Sequence, residues 1–256
     1  MALSPYQIVA MAVLILLAAL IKTGFGVGAG VFISATLCLV LPPKMAIAIG
    51  GPVMFLTDIL PVYHYRKEIR KPILFLLMFG SLSGIVIGGM IMIWIPDKWF
   101  IKMVGFFCGI FAAQQLIKQH LPADLLRNGD QPLTARPLPR WTGFFIGLLG
   151  GIASAISHAG GVIYSIYMLR LGMAKGAFVG TIVAVFFLSD LLKIGVYWKI
   201  ELLTPQMLLF MGWMIPAMIA GSFLGYWLHK RISTGLFEKI ILGFVLVVSI
   251  RLIFFA

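Results

Sequence analysis

Charge is scarce in this chain: only 8 of its 256 residues are Asp or Glu, and charged side chains make up 11% of it, where soluble domains carry about a quarter. That scarcity excludes a soluble globular domain. Cysteine is rarer still. Cys38 and Cys108 lie inside apolar runs, far from any metal-ligand spacing, and read as small buried hydrophobes. The chain has no H-E-x-x-H, no cluster of His or Cys and no nucleophile beside a base, so an intramembrane enzyme ranks last and no metal or cofactor is expected. Short alternating segments are also missing, which excludes a transmembrane barrel.

What is present is apolar bulk. Hydrophobic residues reach 61% and the mean hydropathy is +1.07, values that place the chain in a bilayer. Eight apolar segments recur, at about 7–41 (interrupted), 44–64, 72–95, 98–119, 141–171 (interrupted), 175–197, 205–228 and 233–255. Helices satisfy their own backbone groups in lipid, so the expected fold is an all-α polytopic membrane protein. The opening MALSPYQIVAMAVLILLAAL has no Lys or Arg ahead of its apolar run and no small-residue cleavage site after it. It is expected to be retained, with the mature chain beginning at or near Met1. The net charge of +12 sits mainly in short loops, notably Arg66, Lys67, Arg70 and Lys71. That is the positive-inside pattern of a membrane protein rather than a nucleic-acid surface.

Residues 120–140, HLPADLLRNGDQPLTARPLPR, are polar and proline-rich, and read as a linker between two halves, 1–119 and 141–256. The halves resemble each other. GAGVF (28–32) answers AGGVI (159–163), Lys44 answers Lys175, and FLTDIL (55–60) answers FLSDLL (187–192), at a separation of 131 or 132 residues. Such duplication marks transporter architectures whose broken helices, at matching places in the halves, point to the binding site.

Charge counting barely separates eight crossings from re-entrant hairpins, yet it puts the 66–71 loop and the linker in the cytoplasm either way. Two arguments favour hairpins. A hairpin leaves three crossings per half, an odd number that gives the halves opposite orientations. The arms are also short: Gln7–Ile21 covers about 22 Å and Val31–Leu41 about 17 Å, against a core of about 30 Å. The expectation is two inverted repeats, each a re-entrant helical hairpin plus three transmembrane helices, with both termini periplasmic.

The first break is Lys22-Thr23-Gly24-Phe25-Gly26-Val27-Gly28-Ala29-Gly30, and the second, GGIASAISHAGG, holds Ser157, His158, Gly160 and Gly161. Irregular backbone at membrane depth survives only against protein or a water-lined cavity, so a cavity is expected at these turns. A half-helix restarts after each, near Val31 and near Val162, with free N–H groups and a positive dipole end that favour an anion. Glycine serves packing elsewhere, as expected of Gly80, Gly84, Gly88, Gly89, Gly221 and Gly225. The first break is no nucleotide loop, since G-x-G-x-x-G, a G-K-[ST] ending and a strand are all missing.

Lys22 sits too deep to snorkel readily and either serves the anion or pairs with an acid. His158 is the only one of four histidines deep in a segment and can donate to an anion or carry a proton. Asp58 and Asp190 occupy matching positions; proton coupling and a structural ion pair stand equal for them, with Lys193 a partner for Asp190. Thr181 and Ser189 are weaker candidates.

GFGVGAGVF, YHYRKEI at the end of the second segment, AGGVIYSIYMLRLG in the fifth and AKGAFVGTIVAVFFLSDLL in the sixth together resemble the TauE/SafE family of membrane transporters, the sulfite exporters. The resemblance runs from about residue 7 to residue 255. It implies an inverted-repeat carrier of small anions, sulfite or organosulfonates such as sulfoacetate, in a bacterial inner membrane. The family's glycine-rich turn falls on Gly24, Gly26, Gly28 and Gly30, its second-half counterpart on Gly160 and Gly161, and its sixth-segment threonine on Thr181. The first-half place matching that threonine reads IGGPV (49–53), without the usual Thr-Ser, and the usual proline after the first turn is missing. The expected function is a secondary transporter of a small sulfur-containing anion working by alternating access. Alternatives are an anion channel and a carrier of a non-sulfur organic anion. Oligomeric state is not legible.

Overall fold

The computed structural model describes residues 4–25, 28–120 and 140–255, and among them there is helix and no strand. The first half holds α1 (Pro5–Phe25), α2 (Ala29–Leu37), α3 (Pro43–Tyr65), α4 (Lys71–Trp94) and α5 (Asp97–His120). The second holds α6 (Arg140–Ser157), α7 (Gly160–Arg170), α8 (Lys175–Lys199), α9 (Pro205–Gly212), α10 (Ile215–His229) and α11 (Thr234–Phe254). Proline opens α3, α4, α9 and α10 within their first two residues, where its missing N–H costs no helical bond. Thr204 caps α9 by accepting from Met207 N at 3.3 Å. The linker lies almost wholly outside the described residues.

Among the described residues, five helices are long and apolar enough to cross a membrane: α1, α3, α4, α5 and α8. The pair α9 and α10, bent by 49°, is long and apolar enough to make a sixth when taken as one span. That bend differs from the uninterrupted seventh segment expected from sequence. Its cause is local: Pro216 cannot donate to Gly212 O, and the chain tightens there, with Trp213 N on Phe210 O at 3.1 Å and Met214 N on Met211 O at 2.9 Å.

A second difference concerns the first break. The helix does not stop at Lys22 but runs 21 residues to Phe25, about 31 Å at 1.5 Å per residue, so α1 is long enough to cross alone, contrary to the arm-length argument. Lys22 and Gly24 stay helical because each has a partner. Lys22 meets an acid, and Gly24 lies so close to α10 that a Cβ on it would sit 2.7 Å from Gly225 O. Only the return arm is short, at 9 residues.

Each broken segment nevertheless folds back beside its own start. Gln7 Nε2, in the first turn of α1, donates to Val40 O at 3.0 Å beyond the end of α2. Gly143 near the start of α6 faces Tyr167 near the end of α7, and Gly150 faces Tyr164. Both are helical hairpins.

The halves interlock through matched contacts. Gly80 and Gly84 press α4 onto the backbone of Phe144 and Leu148 in α6, while Gly221 and Gly225 press α10 onto Leu16 and Leu20 in α1. Small residues permit this backbone approach, the role the sequence suggested for them. The two remaining matched pairs run antiparallel. In α3 and α8, Gly51 faces Tyr197, Phe55 stacks on Phe187 at 4.7 Å, and Tyr65 faces Gly180. In α5 and α11, Gly105 faces Leu252, Gly109 faces Ser249, and Gln119 Nε2 donates to Glu238 Oε2 at 2.8 Å.

Candidate anion site at the hairpin tips

The first turns of α2 and α7 open onto one cavity of about 500 Å³. Gly28, the residue ahead of α2, adopts a left-handed φ of 82°, which glycine reaches without strain. The turn ahead of α7 uses His158 instead, at φ 54°. Neither helix has a side-chain cap, so the first N–H groups of each lack an intrahelical acceptor. Ala29, Gly30 and Val31 from one start and Gly161 and Val162 from the other line the same space. Two positive dipole ends therefore share a cavity.

The hairpins touch at His158. A Cβ on Gly30 would lie 2.9 Å from His158 Cβ and 3.0 Å from its carbonyl oxygen, and one on Gly50 in α3 would lie 2.9 Å from its ring. The histidine thus needs glycine on two helices. His158 Nδ1 lies 3.0 Å from Ser34 Oγ, and that hydroxyl sits 2.8 Å from Gly30 O. A serine has one proton to give. When that proton goes to Gly30 O, Ser34 accepts from the histidine and the ring proton sits on Nδ1; when it goes to Nδ1, the ring proton sits on Nε2. The first arrangement satisfies both contacts of the hydroxyl. Nε2 is then a bare acceptor, buried, with no protein partner among the described residues.

Four charged groups complete the walls. Lys22 Nζ lies 2.9 Å from Asp58 Oδ1, with the lysine side chain 13% exposed and the aspartate 1%. Asp58 Oδ2 has no hydrogen-bond partner among the described residues. Lys22 Nζ also stands 5.3 Å from the centre of the Phe186 ring. Asp190 pairs with Lys193, one turn further along α8, and Lys193 reaches Ser154 O at 3.4 Å while only 1% exposed. Both aspartates thus have a lysine partner.

Of the residues the sequence nominated, Lys22, Thr23, Gly24, Gly28, Gly30, His158, Gly161, Asp58 and Asp190 line the cavity. Ser157, Gly160 and Thr181 are not among its lining residues. Ser157 Oγ donates to Ala153 O at 3.1 Å, Gly160 packs on Gly150 O, and Thr181 Oγ1 accepts from Arg70 N at 3.0 Å, tying the 66–71 loop to α8. Gly26 and the side chain of Phe25 lie outside the described residues. Ser189 bonds Ser81 at 3.2 Å, which in turn meets Tyr164 at 2.7 Å, a buried link that steadies the second hairpin.

Sequence reasoning missed Ser34 and Gly50. Ser34 lies one turn beyond Gly30 in α2. Gly50 stands where the second half has Thr181, so the missing threonine of IGGPV was itself the signal: a side chain there would occupy the seat of the His158 ring.

The family model described as Sulfite exporter TauE/SafE matches residues 11–252. No curated protein and no solved structure matches the chain. With its apolar spans and a family match that leaves only the chain ends uncovered, this multi-pass membrane protein belongs to the sulfite exporter TauE/SafE family.

Proposed function

We propose that the chain is a secondary carrier moving a small sulfur oxyanion, sulfite or an organosulfonate such as sulfoacetate, across the bacterial inner membrane by alternating access. The observation that carries this reading is the pair of uncapped helix starts on one cavity, an arrangement that supplies N–H donors and positive dipole ends without a fixed net charge. Apolar wall residues such as Met54, Ile182 and Phe186 suit the carbon tail of an organosulfonate. Substrate contacts fall to Gly28, Gly30, Gly161, His158, Lys22 and Thr23. A bare Nε2 acceptor suits an oxyanion that still bears a proton, as hydrogen sulfite does.

The antiparallel packing of α3 on α8 and of α5 on α11 supports inverted repeats, because eight crossings would leave matched helices parallel. In that arrangement the hairpins enter from opposite faces, the linker and the 66–71 loop are cytoplasmic, and both termini are periplasmic. Purified protein in liposomes should take up sulfite and sulfoacetate with saturating kinetics. Flux that climbs linearly with concentration would identify a channel, and saturable uptake of carboxylates alone would identify a carrier of non-sulfur anions.

A further inference from the structure

We infer that the anion and Asp58 compete for Lys22, so that each anion bound obliges Asp58 to take up one proton. This rests on the anion-carrier reading of the cavity and deepens it by naming the group that couples the flux.

Among the described residues lining the cavity, Lys22 is the cation placed to change partners. It belongs to α1 while its acid belongs to α3, its side chain keeps a face on the cavity, and besides one Asp58 oxygen it meets the Met54 sulfur at 4.0 Å and the Phe186 ring. Lys193 has none of that freedom. It is enclosed, one helical turn from Asp190, and holds Ser154 O as well. An anion seated at the start of α2 lies in the cavity that Lys22 also lines, and it draws the ammonium toward itself. Asp58 is then a carboxylate with a 1% exposed side chain and no donor on either oxygen.

An unpaired buried charge of that kind is costly enough that the group neutralises instead. The proton comes from the solution filling the cavity and forms an O–H bond on Oδ2. Lys22 keeps its own proton throughout. The charged groups acting on Asp58 are Lys22 from α1 and Asp190 and Lys193 from α8, whose pair is closed on itself. His158 from the second hairpin and Tyr65 from α3 are the other titratable side chains lining the space. Lys193 cannot replace Lys22 at Asp58 without exposing Asp190.

Infrared difference spectroscopy on purified full-length protein tests this, because a protonated carboxylic acid has a carbonyl stretch that a carboxylate lacks. Adding sodium sulfite to the wild type should produce that band, and Asp58→Asn should abolish it. Lys22→Met should show the band before any anion is added, and Lys22→Met combined with Asp58→Asn should lose it. A band that survives Asp58→Asn, or a Lys22→Met protein without one, overturns the proposal. So does sulfite binding, measured by calorimetry, that raises no band in the wild type, an outcome that requires no variant to fold. If the wild type binds no sulfite, the substrate reading fails on its own, and the Lys22→Met spectrum still decides whether Asp58 is protonated when its lysine leaves.

Discussion

Asp58 and Asp190 stand at matching places in the two halves, yet their lysines reach them from different directions. Lys22 comes across from the tip of the first hairpin; Lys193 comes from the next turn of the same helix. The carboxylate and the hairpin recur in both halves, but the charge arrangement around them does not. The second half is closed, its ions satisfied within α8 and by Ser154 O. All four groups line the cavity, but the first half's pair is spread over two helices, with the Lys22 side chain 13% exposed against 1% for Lys193. On the proposal above, one pair is fixed and the other exchangeable, the arrangement expected of a carrier in which a single group moves a proton.

The largest test of that contrast is stability. Asp190→Asn leaves Lys193 enclosed and unpaired, and breaking a buried pair by removing one partner costs about 3–5 kcal/mol. Asp58→Asn should cost far less, since Lys22 can turn toward the cavity. Thermal unfolding in detergent should therefore show a drop on the order of 10 °C for Asp190→Asn and a drop of at most a third of that for Asp58→Asn. Equal drops would remove the distinction between a fixed and an exchangeable pair.

The hairpin tips differ in the same sense. Alanine at Gly30 would press on the Cβ and carbonyl of His158, neither of which can move without unseating the second turn. At Gly161 the added methyl would meet only the edge of the Phe186 ring, at 2.8 Å, and that ring can tilt away. Overpacking against fixed atoms costs about 1–3 kcal/mol, so Gly30→Ala should weaken sulfite binding by at least about fivefold. Gly161→Ala should change it by less than about threefold, with calorimetry on purified protein as the measure.

Much of this was legible from sequence, and the failures have physical causes. The two breaks, the paired aspartates, the packing glycines and the family all followed from residue types at repeated spacing. The length of α1 did not. Lysine and glycine weaken an isolated helix in lipid, and only tertiary partners, Asp58 for Lys22 and the α10 backbone for Gly24, show why the helix persists through them. The bend before α10 was missed because Gly212 and Pro216 each look tolerable alone. Ser157, Gly160 and Thr181 were nominated by proximity to a break or by a family position. Which side of a helix faces the cavity depends on packing that spacing does not reveal.

The smallest expected effect concerns how the first half serves the second. Ser34, on the first hairpin, lies 3.0 Å from His158 Nδ1 on the second, and with its own proton on Gly30 O it holds the ring proton at Nδ1. Ser34→Ala removes that acceptor while leaving the glycines and ion pairs in place. A hydrogen bond of this kind is worth about 1 kcal/mol, and without it the neutral ring is free to carry its proton on Nε2. Nitrogen-15 spectra of the histidine ring should show Nδ1–H as the dominant form in wild type and a mixture in Ser34→Ala. Binding should shift in step: hydrogen sulfite, which can donate to a bare Nε2, should lose about fivefold relative to methanesulfonate, which has no proton to give and gains from an Nε2–H donor. An unchanged ratio between the two ligands would mean that His158 does not meet the anion, and that the contact between the hairpins serves packing alone.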